Sequence, residues 1–214
     1  MAKIIKPSFE ILTPIDGTEI LKLIEKIART CYKSEDKITA DGESAKKIIA
    51  TLIKLGHEAM IEHFNITVRF TTDRGMTHEL VRHRMASYAQ ESTRYCNYSK
   101  GKFGEELAFI RPCNIKEGTP EYKIWLGCME RIEKDYLAMA KLGCKPDQLR
   151  MILPCSIKTE INITANLREW RHILKLRTVK AAHPTIVELM RPLLQEFKRV
   201  IPVVFDDITT DEVE

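Results

Sequence analysis

No two of the six cysteines stand in CxxC spacing, no GxGxxG occurs, and no apolar run approaches the length of a membrane span. The cysteines (Cys31, Cys96, Cys113, Cys128, Cys144 and Cys155) are scattered. That spacing argues against a zinc ribbon or a dithiol redox pair and fits reduced thiols. Without the glycine fingerprint a Rossmann dinucleotide site is not expected. Without a long apolar segment no membrane partner is expected. The opening MAKIIKPSFEIL lacks the apolar core and small-residue cleavage site of a secretory signal, so the expected compartment is cytoplasmic. Internal repeats and low-complexity tracts are missing too. The formal net charge is only +4, too weak to point to nucleic acid as a partner.

What is present is the make-up of a soluble globular protein, 44% hydrophobic and 30% charged over 214 residues. One domain over residues 1–205 is expected, followed by an acidic and frayed tail at 206–214. Residues 3–11 read as an opening strand. Ile20, Leu21, Leu23, Ile24 and Ile27 carry helical spacing over 19–29. Ser44 reads as the N-cap of a helix ending near Leu55, with Gly56 where a helix end favours glycine. Ile48, Ile49, Leu52 and Ile53 would form its buried stripe. Phe64, Ile66, Val68 and Phe70 alternate with polar residues, a half-buried strand. Gly75 would end it, and MTHELVRHR reads as a short helix. A long helix spans 119–142, bounded by Thr119-Pro120 and Gly143. Ile157, Thr159, Ile161 and Ile163 alternate as a strand, helical spacing follows over 166–176, and a last helix runs from Pro184 to before Pro202. Strands and helices mix without βαβ alternation. The expected class is therefore α+β, a mainly antiparallel sheet flanked by helices.

The chemistry concentrates in residues 82–95. Three arginines, one histidine, two serines, a glutamine and two tyrosines fall within fourteen residues. Guanidinium groups bind phosphate through planar paired donors, serine hydroxyls add more, and tyrosines line ring pockets. A solvated basic face is the plain alternative on composition alone. The spacing goes further. It resembles the signature of the flavin-dependent thymidylate synthases: RHR, two residues, Ser, four residues, Ser, one residue, Arg. Arg82, His83, Arg84, Ser87, Ser92 and Arg94 match every fixed position. The segment Gly56-His57-Glu58-Ala59-Met60-Ile61-Glu62-His63 resembles the family's GHE-x3-EH stretch. Arg150-Met151-Ile152-Leu153-Pro154 resembles its R-x-x-L-P stretch, and Asn166-Leu167-Arg168, His172 and Leu176-Arg177 resemble its closing site region. The match covers roughly residues 43–183. Ala89 departs from a frequent asparagine, and Ala59 stands where a hydroxyl is common, so only the Ala59 backbone has a contact to offer.

The resemblance implies an FAD-dependent enzyme that converts dUMP to dTMP. Methylenetetrahydrofolate gives the carbon and NADPH reduces the flavin. It places Glu79, Leu80, Val81, Arg82, Gln90, Glu91, Ser92, Thr93, Arg94, Arg150 and Arg177 against dUMP. It places Ala59, Arg82, His83, Arg84, Gln90, Asn166, Leu167, Arg168 and His172 against FAD, and His57 on the folate side. Arg177 takes the catalytic role, a cation at the pyrimidine edge that favours loss of the N3 proton. A homotetramer with active sites shared between subunits is also implied.

Simpler readings stand beside these. His57 is a candidate helix-end cap, and Ile61 fills the position where a zincin helix needs its second histidine, so no metal is expected. Glu79 lies three residues from Arg82 and four from His83, so all three would share a helical face. Ser92 has no evident base beside it in sequence and suits phosphate better than nucleophilic attack. Arg150 and Arg177 both suit helix ends. Two rival functions remain open at this point: a polynucleotide-binding module, salt-sensitive and colourless, and a yellow flavin-binding relative without turnover.

Overall fold

The computed structural model describes residues 2–100 and 106–210. Strands β1 (Lys3–Ile5) and β2 (Ser8–Ile11) replace the single expected opening strand, because Pro7 lacks the N–H that a continuous ladder needs. Then follow α1 (Gly17–Tyr32), α2 (Glu43–Lys54), β3 (Asn65–Asp73), α3 (Arg74–Leu80), β4 (Ser87–Gln90) and β5 (Ala108–Ile110). The chain continues through α4 (Pro120–Lys141), α5 (Pro146–Leu149), β6 (Lys158–Asn166), α6 (Leu167–Arg177) and α7 (Pro184–Val200). An antiparallel sheet of order β2-β3-β6-β4 and a small parallel pair, β1-β5, give the expected α+β class. Along β3 the side chains of Ile66, Val68, Phe70 and Thr72 are buried, and along β6 those of Thr159, Ile161, Ile163 and Ala165. The alternate face is polar: the Thr67 and Thr164 hydroxyls bond at 2.8 Å, and Arg69 Nε donates to Asn162 Oδ1 at 3.2 Å. Among the described residues no helix is long and apolar enough to cross a membrane.

Two compact units divide the chain. The first (Glu10–Val68, His83–Ser87, Ile163–Glu214) holds α1, α2, α6 and α7. Asp16 caps α1, accepting from the Glu19 N–H at 3.1 Å. Helix α1 buries Ile20, Leu21, Ile24 and Ala28 with a buried ion pair, Arg29 Nε to Glu25 Oε1 at 2.8 Å. A side chain at Gly17 would collide with the Val200 carbonyl at the end of α7. Helix α2 starts earlier than expected, from Gly42 at φ 79°. Ser44 is not its cap: its hydroxyl donates to Glu25 Oε2 and accepts from the Thr39 N–H, while Asp41 accepts from the Glu43 N–H. Trp170 is fully buried, with its Nε1 donating to the Ile66 carbonyl at 3.0 Å and Phe197 edge-on at 5.5 Å. Within 206–210 the chain is held in place. Asp207 is ion-paired to Arg171, and Ile208 is buried.

The second unit (Met1–Phe9, Arg69–Arg82, Tyr88–Asn162) packs Leu107, Phe109, Met129, Tyr136, Leu149 and Ile157 around the β1-β5 pair and α4. Thr119 caps α4 and Pro120 opens it, as the sequence leads one to expect. Helix α3 differs: it begins at Arg74, capped by Asp73, which accepts from the Met76 N–H at 2.7 Å. It stops at Leu80, whose carbonyl accepts from the Tyr88 hydroxyl at 2.8 Å. Arg82 and His83 therefore lie beyond the helix, and the expected face shared with Glu79 is not formed. Strands β4 and β5 are too short to leave a periodic signal.

Candidate active site

In the first unit, α6 carries the closing site region. Asn166 is its N-cap, accepting from the Glu169 N–H at 2.8 Å. From there Arg168, Arg171, His172 and Lys175 follow at three- and four-residue steps, one face of the helix. That face lines a pocket of about 440 Å³ with Glu58, Glu62, Met85, Asn166 and Glu169. Three of the residues expected at the flavin, Asn166, Arg168 and His172, are thus brought together. Glu58 and Glu62 were marked from sequence only as motif positions, and Glu169, Arg171 and Lys175 not at all, although the helical step from Arg168 already marks the last two. Leu167 is fully buried, so only its backbone is available to a ligand.

Charge in this pocket is matched. Arg168 Nη1 meets Glu62 Oε1 at 2.5 Å and its Nε lies 3.8 Å from Glu58 Oε2. Arg171, 1% exposed, donates to both carboxylate oxygens of Asp207 at 2.6 and 2.8 Å, to Glu58 Oε1 at 3.2 Å, and to the Val204 carbonyl. Burial works against the Arg171 charge, but its hydrogen bonds to the Asp207 and Glu58 carboxylates prevail and hold its pKa above the ordinary value. The bond from Arg171 in turn holds the Asp207 carboxyl below the ordinary carboxylate value. Burial pushes the Glu169 carboxyl up, opposed by nearby His172. His83 is buried, its ring edge-on to His172 with centroids 5.8 Å apart. Arg177, at the last turn of α6, donates from Nε to His83 Nε2 at 3.0 Å. Acceptance at Nε2 puts the ring proton on Nδ1, which lies 3.9 Å from Glu169 Oε1. The expected catalytic arginine and the signature histidine, 94 residues apart in sequence, are therefore in contact. Arg84, Ala59 and His57 are exposed, with Ala59 opening the 3₁₀ turn Ala59–His63 and the His57 N–H donating to the Leu52 carbonyl.

In the second unit, β4 leads into the rest of the signature. Gln90 turns its amide inward, donating to Thr77 Oγ1 at 3.0 Å and Thr159 Oγ1 at 3.4 Å. After Glu91 the chain turns back on itself: the Tyr95 and Cys96 N–H groups donate to the Ser92 carbonyl, and the Arg94 N–H to Ser92 Oγ at 3.3 Å. Arg82, Arg94 and Arg150 are exposed, and among the described residues none of the three pairs with a carboxylate. The Arg94 guanidinium lies 5.5 Å from the centre of the Tyr95 ring. Arg150 heads the 3₁₀ turn Arg150–Ile152 directly after α5. Leu80 and Thr93 are buried, so their side chains belong to the core, whereas Val81 is 43% exposed and Glu79 half-buried. No base is hydrogen-bonded to Ser92 Oγ among the described residues.

A sequence model of the family described as "Thymidylate synthase complementing protein" matches residues 15–203. A flavin-dependent thymidylate synthase of Pyrococcus abyssi is 33% identical over 168 residues, 78% of this chain and 67% of that protein. One from Corynebacterium aurimucosum is 30% identical over 206 residues, 91% of this chain and 83% of its own length. Among solved structures, a UMP/dUMP methylase, PolB of Streptomyces cacaoi, bound with 5-Br dUMP, superposes with a TM-score of 0.75, at 22% identity and 95% coverage of both chains, a likeness of fold. A match over residues 15–203, a span that takes in the α6 pocket and the arginine-rich turn, means that the chain belongs to the family of thymidylate synthase complementing proteins, the flavin-dependent thymidylate synthases.

Proposed function

We propose that this chain catalyses the reductive methylation of dUMP: the carbon of methylenetetrahydrofolate is joined to C5 of the pyrimidine, and dTMP and tetrahydrofolate leave. FAD reduced by NADPH supplies the hydride that completes the methyl group. The α6 pocket suits a flavin by its donor set: Asn166 and His172 would offer hydrogen-bonding groups, and Arg168 and Lys175 cations for a diphosphate. Its volume of about 440 Å³ lies in the range of roughly 300–1,000 Å³ usual for small-molecule sites. His83 and Arg84 serve the same cofactor, Arg82 touches both cofactor and nucleotide, and His57 stands on the folate side.

The observation that carries the reading is the exposed charge of Arg82, Arg94 and Arg150, none of which pairs with a carboxylate among the described residues. Exposed guanidinium groups beside a serine are what a phosphate dianion requires. Ser92 adds its hydroxyl, and Leu80, Val81 and Thr93 contribute backbone. Arg177 acts as the electrostatic catalyst. Its fixed charge at the pyrimidine edge favours loss of the N3 proton and makes C5 electron-rich. His83 orients it through the 3.0 Å bond to Nε. The working form is a cytoplasmic homotetramer with shared active sites, and the exposed apolar side chains of Ile124, Leu142 and Met151 are surface that such an assembly covers.

The deciding experiment combines purified protein, FAD, NADPH, dUMP and methylenetetrahydrofolate without oxygen and assays dTMP. Formation of dTMP that depends on each component is expected. A yellow protein that makes none overturns the reading and leaves a flavin carrier.

A further inference from the structure

Glu91 sits inside the signature, immediately before Ser92, yet its carboxylate is engaged within the protein. The Tyr98 hydroxyl donates to Oε1 at 2.8 Å and Lys158 Nζ donates to Oε2 at 3.1 Å. The same ammonium donates to Glu160 Oε1 at 2.7 Å. The Glu91 backbone is fixed as well: its N–H donates to the Glu160 carbonyl at 2.8 Å, and its carbonyl accepts from Arg74 Nη1 at 3.3 Å. Tyr98 is 5% exposed, and its own N–H donates to the Tyr136 hydroxyl at 3.3 Å. Residues 91 and 98 are thus the two ends of one turn, and a single carboxylate ties them together. Ser92 and Arg94 ride between those ends. Side-chain exposures of 11% for Glu91 and 19% for Lys158 keep water from loosening the tie.

We propose that Glu91, Tyr98 and Lys158 form a staple that shapes the 92–97 turn for a phosphate dianion, with Lys158 as a positioning residue that also cancels the Glu91 charge. The proposal rests on the reading of Ser92 and Arg94 as phosphate ligands. Two physical effects follow. Loss of Lys158 lets the turn open, and it exposes a phosphate dianion to an uncompensated carboxylate one residue from Ser92, a repulsion that weakens binding. Neither effect touches the ring chemistry. Lys158 belongs to the nucleotide's KM and not to turnover at saturation.

The test uses the FAD-loaded full-length protein and calorimetric titration with dUMP. Lys158→Met should weaken dUMP binding about three- to tenfold, the size of one ordinary hydrogen bond because the lysine acts through the turn and not on the phosphate, with the turnover at saturating dUMP unchanged. Binding of 2′-deoxyuridine, which has no phosphate, should not move. Adding Glu91→Gln to Lys158→Met should restore most of the affinity, because the amide oxygen still accepts from Tyr98 and the stray charge is gone. A structural lesion would not be repaired in this way. If Lys158→Met fails to fold, Lys158→Gln and Tyr98→Phe put the same question. Wild-type dUMP affinity in the lysine variants, or no recovery in the double variant, overturns the staple. Arg94→Ala separates the two layers of the argument. If it weakens dUMP binding while Lys158→Met is silent, the staple alone falls. If Arg94→Ala is itself silent, the turn is not the phosphate site, and the staple falls with that reading.

Discussion

Arg171 is buried and gripped by Asp207, Glu58 and the Val204 carbonyl, whereas Arg94 lies on the surface with the Tyr95 ring as its neighbour. The same side chain serves opposite ends in the two units. Around α6 the Arg168 and Arg171 guanidinium groups are matched by carboxylates, and that of Arg171 holds the 3₁₀ turn, the helix and the chain end in place. In the second unit the exposed charges at 82, 94 and 150 meet no carboxylate among the described residues. A buried arginine without partners is costly and an exposed one is not. The unmatched set can therefore be kept for a ligand at little expense in stability. Buried Arg171 thus reports on architecture, and exposed Arg94 on binding.

Three substitutions put that division under strain. Arg177→Ala should have the largest effect, lowering turnover about 100- to 1,000-fold, as removal of a preorganised charge from a developing anion does. Flavin absorbance should persist, and turnover within a few-fold of wild type would remove Arg177 from the chemistry. Next comes Arg171→Met, which should lower unfolding free energy by about 2 kcal/mol, since it leaves the buried Val204 carbonyl and the largely buried Glu58 carboxylate without their donor. Urea denaturation measures it, and dUMP affinity of the folded protein should stay the same. Third, Arg94→Ala should leave the urea midpoint in place and weaken dUMP about tenfold, roughly 1.4 kcal/mol. A stability loss from Arg94→Ala equal to that from Arg171→Met would erase the distinction.

The sequence made the long elements legible and the short ones not. Helices α1, α4, α6 and α7 and strands β3 and β6 each bury a stripe of the right period, so Ile66, Val68 and Phe70 or Ile20, Leu21 and Ile24 announce themselves. Strands β4 and β5, of four and three residues, cannot show a period. Helix ends set by contacts distant in sequence also escaped. Ser44 is drawn to Glu25, 19 residues away, and so does not cap α2. Tyr88 closes α3 at Leu80. At the site, motif spacing marked Asn166, Arg168 and His172, and the structure puts them on one pocket. It gave no sign that Glu58 and Asp207 would complete the charge balance there, because ion pairs across 113 and 36 residues leave no local pattern.

Asp207 allows the smallest and most exacting test of the comparison. Its carboxyl is held below the ordinary value of 3.8 by the bond from Arg171. A carboxyl lowered on folding stabilises the protein fully above its unfolded value, and that contribution fades as pH falls through the lower folded value. Asp207→Asn keeps an acceptor in place and removes the charge. With the side chain 46% exposed, the loss at pH 7 should be discounted to about 1 kcal/mol. Between pH 7 and pH 5 the gap between wild type and variant should hold steady. Toward pH 3 and below it should close, because the wild-type carboxyl takes up its proton. Urea midpoints across that range measure the gap. If it stays open in acid, what Asp207 contributes is packing of the chain end, and the matched arginine on α6 needs its partner for shape and not for charge.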